Sequence, residues 1–448
     1  MKKYVGPGIV TAALVMSALA IDLVTIIPAH AQVAPGYTFT TLINFDTAGV
    51  VGFGPRSGVT FGNDGNLYGT TFNGGESGHN EGTLYRYIPT TSSYNTLMTF
   101  NTVDAPGSNP YAGLALSSDG SFYGTTSLGG STGQATGSLY RYTPSSGQYS
   151  TLINFGVDLS GFAPHSGITF GSDGSLYGTT FQGGVASAGT LYRYIPSTGV
   201  ITTLADFGTP GAIGINPHSG VTLGNDGTIY GTTPGSTDAS NSGTLYSYNP
   251  STGVFKTLID FGTVGVSTIQ TLSGVTMGAD GNLYGTTTGG AANSGTLYCY
   301  NLSTGNVTTL VNFGTSEATG VGPLSDLTLG SDGSLYGTTD GGGSGVPGMD
   351  GTLYRYNPVT DVFTTLVNFG TSGISGWSPV AGITFGNDGS LYGTTLSGGD
   401  GSVSNGGGIL YRLSSSSIAA PEPSSMMLLI FGGLSVVGKR VQRHRRRY

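Results

Sequence analysis

The sequence predicts an all-β fold: a seven-bladed β-propeller of four-stranded antiparallel blades, closed by an N-terminal strand that completes the last blade. Three observations carry this expectation. The phrase "NDGNLYGTT" at residues 63–71 returns in close variants, placing Asp-Gly at Asp64, Asp119, Asp173, Asp226, Asp280, Asp332 and Asp388, a mean spacing of 54 residues. Each interval holds four short runs rich in β-branched and aromatic residues, the pattern of a propeller blade. Only 8% of residues are charged, 81 are glycine, and no long helical periodicity interrupts the repeats.

The chain opens with "MKKYVGPGIVTAALVMSALAIDLVTIIPAHAQ". Two lysines, an apolar stretch and Ala29-His30-Ala31 fit a cleaved export signal over 1–31, with Gln32 as the first mature residue. Asp22 and Pro28 break the apolar stretch, which favours cleavage over a permanent membrane helix.

Residues 32–418 form the repeat region. In the first full unit, "SGVTF" (57–61) is the first strand and "GNDG" a tight turn, where glycine takes positive φ cheaply. "NLYGTT" is the second strand, and a Gly-rich loop follows. "GTLYRY" (82–87) is the third, and "YNTLMTF" (94–100) the fourth. A lone small sheet has two bare faces, and stacking blades around an axis buries both. Leu67 and Tyr68 are therefore expected between blades, and the glycine of "YGTT" where a close approach or a bend is needed. The strand types are offset in the chain. A fourth-type strand, "TFTTLINF" (38–45), precedes the first unit, and the last unit ends after its third strand, "GILYRL" (408–413). Pairing these two would shut the ring and protect an open edge.

The C-terminal segment, 419–448, reads "APEPSSMMLLIFGGLSVVGKRVQRHRRRY" from Ala420. Pro421, Glu422 and Pro423 precede an apolar run at 426–437 and a cluster of arginines. A membrane-spanning helix usually needs about 20 apolar residues, so the run alone is a marginal anchor whose basic tail would stay cytoplasmic. The order of triplet, apolar run and arginine cluster resembles the PEP-CTERM sorting signal. That resemblance implies an exosortase-type membrane enzyme as processing partner, a transient C-terminal anchor, and an envelope, surface or extracellular destination. The recurring "DGxLYGTT", "GTLYRY" and "TLVNFG" resemble the bacterial GloVer repeats over nearly all of the region. Phe122, Ile229 and "GILYRL" are apolar departures from them. The resemblance implies fold and destination, and no reaction.

Within 32–418, seven Arg and Lys face 21 Asp and Glu, a net charge of −14 hidden by basic tails in the whole-chain value of −8. Such a body repels nucleic acid and anionic membranes. Cys299 is the sole cysteine, so no intramolecular disulfide forms.

The tight turns belong on one face of the disc and the longer variable loops on the other, where binding residues usually sit. The residue before each innermost strand varies: Arg56, Tyr111, His165, His218, Leu272, Leu324, Val380. The first four come from consecutive blades. They read either as unrelated surface side chains or as one polar arc for a small anionic or sugar-like ligand. Tyr111 and Trp377 are candidate sugar-stacking residues, and Trp377 alternatively anchors its loop. His30, His79 and His444 give no metal signature, and no cofactor or metal is expected. The Asp-Gly aspartates lack the D-x-D-x-D-G calcium pattern and read as turn caps. Arg86, Arg141, Arg193, Arg355 and Arg412 recur after "LY", which suggests a structural pairing with Asp206- or Asp260-type positions on the next strand. No nucleophile elbow, Walker loop or dinucleotide fingerprint occurs. The expected function is that of an exported monomeric binding or scaffold protein for extracellular polysaccharide or a surface protein. A lyase or hydrolase acting on a saccharide at the loop-face funnel, and a purely structural envelope component, are the alternatives.

Overall fold

A computed structural model describes residues 32–415, apart from 76–79, 131–135, 157–160, 239–241, 264–269, 291–292, 344–349 and 400–405. The expected export signal, the sorting segment with Pro421, Glu422 and Pro423, and His79 lie outside the described residues. Among the described residues every regular element is a strand, and no helix is long and apolar enough to cross a membrane.

The repeats form a seven-bladed β-propeller. Blade 1 runs outward from the axis as Thr60–Phe61, Leu67–Thr71, Thr83–Ile88 and Ser93–Thr99, all antiparallel. Blades 2 to 6 repeat this order. Blade 7 takes three strands from the end of the chain, Thr384–Phe385, Leu391–Thr395 and Ile409–Ser415. Its fourth is Tyr37–Asn44, with Tyr37 opposite Ser415 and Asn44 opposite Ile409. The N-terminal strand thus closes the ring, as the offset of strand types requires. The innermost strands are shorter than the sequence suggests. In blade 1 only Thr60 and Phe61 pair with the second strand, while the Ser57 side chain still lies 3.3 Å from the Thr70 hydroxyl.

Packing accounts for nearly every letter of the repeat. Asp64 Oδ1 accepts the Asn66 amide at 3.1 Å across the Asp-Gly turn, while Gly65 adopts φ +74°, and the same cap recurs in all seven turns. Successive strand residues point to opposite faces. Leu67 therefore packs toward blade 7 with Ile43, Phe45 and Leu410, and Tyr68 toward blade 2 with Phe122 and Tyr140. The two threonines divide their work similarly. Thr70-type hydroxyls donate to the inner strand of the next blade, as in Thr179 to the Ser219 carbonyl at 3.1 Å. Thr71-type hydroxyls bond within the blade, as in Thr71 with Thr83 at 2.8 Å.

The glycine of "YGTT" makes room for a side chain rather than for backbone. A Cβ on Gly178 would lie 2.5 Å from the Tyr192 hydroxyl, and the other six blades repeat the arrangement. That tyrosine meets the buried phenylalanine that ends the preceding blade's fourth strand, as in Phe207 with Tyr246 at 5.1 Å between centroids. Seven such pairs circle the molecule, ending with Phe45 on Tyr85. Each well-oriented aromatic pair adds about 0.5–1.5 kcal/mol beyond area burial.

The recurring arginines do form structural pairs, but with a different partner. Arg141, Arg193, Arg355 and Arg412 reach the Asp-Gly aspartates Asp119, Asp173, Asp332 and Asp388, and not Asp206- or Asp260-type positions. The third strand lies beside the second, so its arginine faces the turn that begins the second strand. Arg86 instead donates to Asn95 at 3.2 Å, and the Tyr68 hydroxyl takes Asp64. In blade 2 the Ser121 amide, followed by hydroxyls and Arg141, holds the Asp119 carboxyl below the usual range.

Candidate functional site

The segments entering the innermost strands surround a cavity of about 450 Å³ on the loop face. Burial alternates along them: Arg56, Gly58 and Thr60 face the lumen, and Ser57 and Val59 are buried in the blade. The seven blades therefore stack three levels. The mouth carries Arg56, Tyr111, His165, His218, Leu272, Leu324 and Val380, all seven lining the cavity as the sequence suggests. One step down the lining residues are Gly58, Gly113, Gly167, Gly220, Asp326 and Gly382, and the level below holds Thr60, Thr328 and Thr384.

The structure brings Arg56, Tyr111, His165 and His218 into direct contact. Arg56 donates to the Tyr111 hydroxyl at 3.1 Å, and its guanidinium lies 4.9 Å from that ring's centre and 4.5 Å from Phe72. Tyr111 stacks on His165 at 4.8 Å, and His165 on Phe181 at 4.6 Å. His218 stands edge-on to Tyr111 and His165, 5.1 Å from each. A cation over the negative face of a ring is held electrostatically, so Arg56 is fixed at one end of an aromatic stack. Burial, reinforced by His218 and Arg56, pushes the His165 pKa down to about 4. Burial and Arg56 do the same for His218. At neutral pH the wall carries one cation and two neutral imidazoles, each with a donor and an acceptor nitrogen.

Trp377 is not part of this wall. It pairs with Ser397 in a two-stranded ribbon, Gly376–Trp377 against Ser397–Gly398, built from two loops. Five such ribbons occur among the described residues, and the sequence gives no separate signal for them. Trp377 packs over Gly398 and does not line the cavity.

Three residues of the site escape a reading of the mouth positions alone. Phe72 and Phe181 directly follow "YGTT", a position that varies from blade to blade. Asp326 stands where every other blade has glycine, in "LSDLTL" against "SGVTF" and its variants. That break in the repeat is its signal. The Asp326 carboxylate is reached by solvent from the lumen, yet the ring walls it in. Enclosure raises its pKa, against the Gly274 amide that donates to Oδ1 at 2.5 Å.

Solved structures share this fold at low sequence identity. The chain is similar to an oligogalacturonate lyase from Vibrio parahaemolyticus, with TM-score 0.53 and 16% identity over 86% of this chain and 98% of that one. It is also similar to the extracellular domain of a one-component system from B. thetaiotaomicron, with TM-score 0.52 and 16% identity over 84% of this chain. The match spans 40% of that chain's length. At such identity the likeness is one of fold. No curated protein matches the sequence. The model of the Gloeobacter/Verrucomicrobia repeat matches residues 31–234, 115–349 and 235–421, and these cover nearly the whole propeller. With its seven-fold motif and closed ring, the chain belongs to the Gloeobacter/Verrucomicrobia repeat family.

Proposed function

We propose that the protein is an exported, surface- or matrix-associated binding protein that holds the end of a saccharide chain in the loop-face funnel, with an acidic or hydroxyl-rich sugar against the Arg56 wall. The observation that carries this is the Arg56–Tyr111–His165–Phe181 stack, which interrupts an otherwise repeating ring at the cavity mouth. A guanidinium held by ring faces offers its N–H fork to a carboxylate or to paired hydroxyls. Neutral imidazoles supply further hydrogen bonds without the cost of a second enclosed charge. The net charge of −14 for 32–418 argues for a chain end entering the cavity over a polyanion lying along the surface.

Export at 1–31, the propeller domain at 32–418 and exosortase-type processing at 419–448 belong to the same proposal and rest on the terminal motifs. The extracellular origin of the B. thetaiotaomicron domain accords with it. A saccharide-acting lyase or hydrolase is the second reading. It is favoured by an acid of raised pKa and two neutral histidines sharing one cavity.

A glycan array probed with the purified full-length protein tests the binding reading. The expected result is retention of oligosaccharides ending in a uronate, lost in Arg56→Ala and weakened in His165→Ala/His218→Ala. Equal binding by wild type and Arg56→Ala would remove the wall from consideration, and steady release of shortened or unsaturated sugars would favour the enzyme. Intact mass of native material should show neither the first 31 residues nor "HRRRY".

A further inference from the structure

The cavity has a second wall whose chemistry differs from the first. Blades 5, 6 and 7 present Leu272, Leu324 and Val380 at the mouth, three half-buried aliphatic side chains with no hydrogen-bonding groups. One step below, in the middle blade of the three, lies Asp326. Leu324, Asp326 and Thr328 face the lumen while Ser325 and Leu327 are buried, so the leucine and the aspartate project into the same space.

Asp326 is an unusual residue to keep at this level. Space does not account for it: a Cβ would meet the Gly382 carbonyl at 2.5 Å on Gly58, but nothing within 4 Å on Gly167 and only contacts of 3.5 Å or more on Gly113, Gly220 and Gly382. Among the described residues, the one hydrogen bond to the carboxylate comes from the Gly274 amide to Oδ1. No cation among the described residues pairs with it, and Arg56 is engaged by Phe72 and Tyr111. The carboxylate is open to the lumen and has no counter-charge beside it, so it is available to a cationic group that enters the cavity.

The level below adds a directional constraint. Thr328 donates its hydroxyl proton to the Ile383 carbonyl at 2.9 Å, Thr60 donates to Leu114 at 2.8 Å, and Thr384 donates to Val59. A hydroxyl whose proton is committed presents only lone pairs to the lumen. Around Asp326, then, the lumen offers acceptors. A carboxylate would bring only acceptors, and a sugar hydroxyl brings one donor with two acceptor lone pairs and no charge. A primary ammonium brings three donors and no acceptor, and an alkyl stem covers aliphatic wall while the charged head reaches polar groups.

We propose that Leu272, Leu324, Val380 and Asp326 form a slot for a primary ammonium on an aliphatic stem, the chemistry of a lysine side chain or a free alkylamine. The head pairs with Asp326 Oδ2 and the stem lies against the three aliphatic side chains. The slot spans blades 5 to 7 and shares the cavity with the Arg56 wall, whose blade 1 adjoins blade 7, but it is built from different side chains and does not rest on the saccharide reading.

Calorimetric titration of the full-length protein tests the slot. The probes are n-pentylamine, a Gly-Lys-Gly peptide blocked at both ends, the same peptide with norleucine for lysine, glucosamine and calcium chloride. The amine and the lysine peptide should bind, and the norleucine peptide and glucosamine should not. Tighter binding of the peptide would point to a protein lysine as the natural occupant, and tighter binding of pentylamine to a free amine. Asp326→Gly restores the residue of the other six blades and should fold. It should weaken the amine by about fivefold, the loss expected when one partner of a solvent-reached charge pair is removed. The slot is overturned if pentylamine fails to bind, if norleucine, glucosamine or calcium binds as well as the amine, or if Asp326→Gly matches wild type.

Discussion

The Thr394 hydroxyl donates a 2.9 Å hydrogen bond to the Ser57 carbonyl across 337 residues of chain. It is the last of a girdle in which Thr125 reaches Ser166, Thr232 reaches Ser273 and Thr338 reaches Ala381. Beside it Thr384 donates to the Val59 carbonyl, so blade 7 meets blade 1 through the same chemistry that joins the other blades. Side-chain hydroxyls thus bridge blades whose backbones do not share a ladder.

The seam has a second lock in the Tyr37–Asn44 strand, which supplies the outer edge of blade 7. Deleting residues 32–46 should expose the edge of Ile409–Ser415 and remove Phe45 from Tyr85. The expected outcome is a melting temperature lower by many degrees or aggregation, read by calorimetry and size-exclusion chromatography. A monomer with unchanged melting temperature would contradict the closure.

Gly178→Ala should destabilise by about 1–3 kcal/mol, the usual cost of overpacking, because its Cβ would meet the Tyr192 hydroxyl at 2.5 Å inside a fully buried cluster. Urea denaturation measures it. Gly174→Ala probes something else: its Cβ would meet nothing within 4 Å, and any cost reports the φ of +75° alone.

On the turn face, Arg193→Ala should cost under about 1 kcal/mol, because its ion pair with Asp173 is partly exposed and screened. Asp173→Ala should cost more, about 1–2 kcal/mol, since the carboxylate also caps the turn through the Ser175 amide. Denaturant midpoints for the two variants give the order, and a reversed order would assign the arginine the larger role.

His165 and His218 have folded pKa values lowered to about 4, below the ordinary histidine value of 6.5. The unfolded chain therefore binds protons that the folded chain refuses. Their contribution to stability is complete above about pH 6.5 and is lost as pH falls toward 4. Asp326, with its pKa raised, opposes the trend on acidification. Melting temperature against pH for wild type and His165→Phe/His218→Gln isolates the histidine part. The variant should lose less stability between pH 6.5 and 4, and parallel curves would show that the two rings titrate normally.

Much of this molecule is legible in the sequence because one local solution is written seven times. Asp64 to Thr71 specify turn, strand, both packing faces and the bond to the next blade within eight residues. The mouth was legible for the same reason: Arg56, Tyr111, His165 and His218 stand out where neighbouring letters repeat. What could not be read is what depends on the distance between strands. Arg193 pairs with a turn 20 residues earlier because two strands run side by side, and sequence proximity to Asp206 misleads. Phe181 reaches His165 from another loop, and Trp377 turns into a ribbon that no local pattern announces. Asp326 was visible as a lone departure from glycine, but its meaning depends on facing a lumen, which only the closed ring supplies.

A chain delivered N-terminus first, from a ribosome or through a membrane pore, presents Tyr37–Asn44 at the outset, and its partner Ile409–Ser415 arrives hundreds of residues later. Until then the first strand has no sheet to join and the seventh blade does not exist. Blades can form in order behind the emerging front, but the circle shuts only after the far end has come through. Closure of the fold therefore waits on the third strand of the last repeat, whichever route delivers the chain.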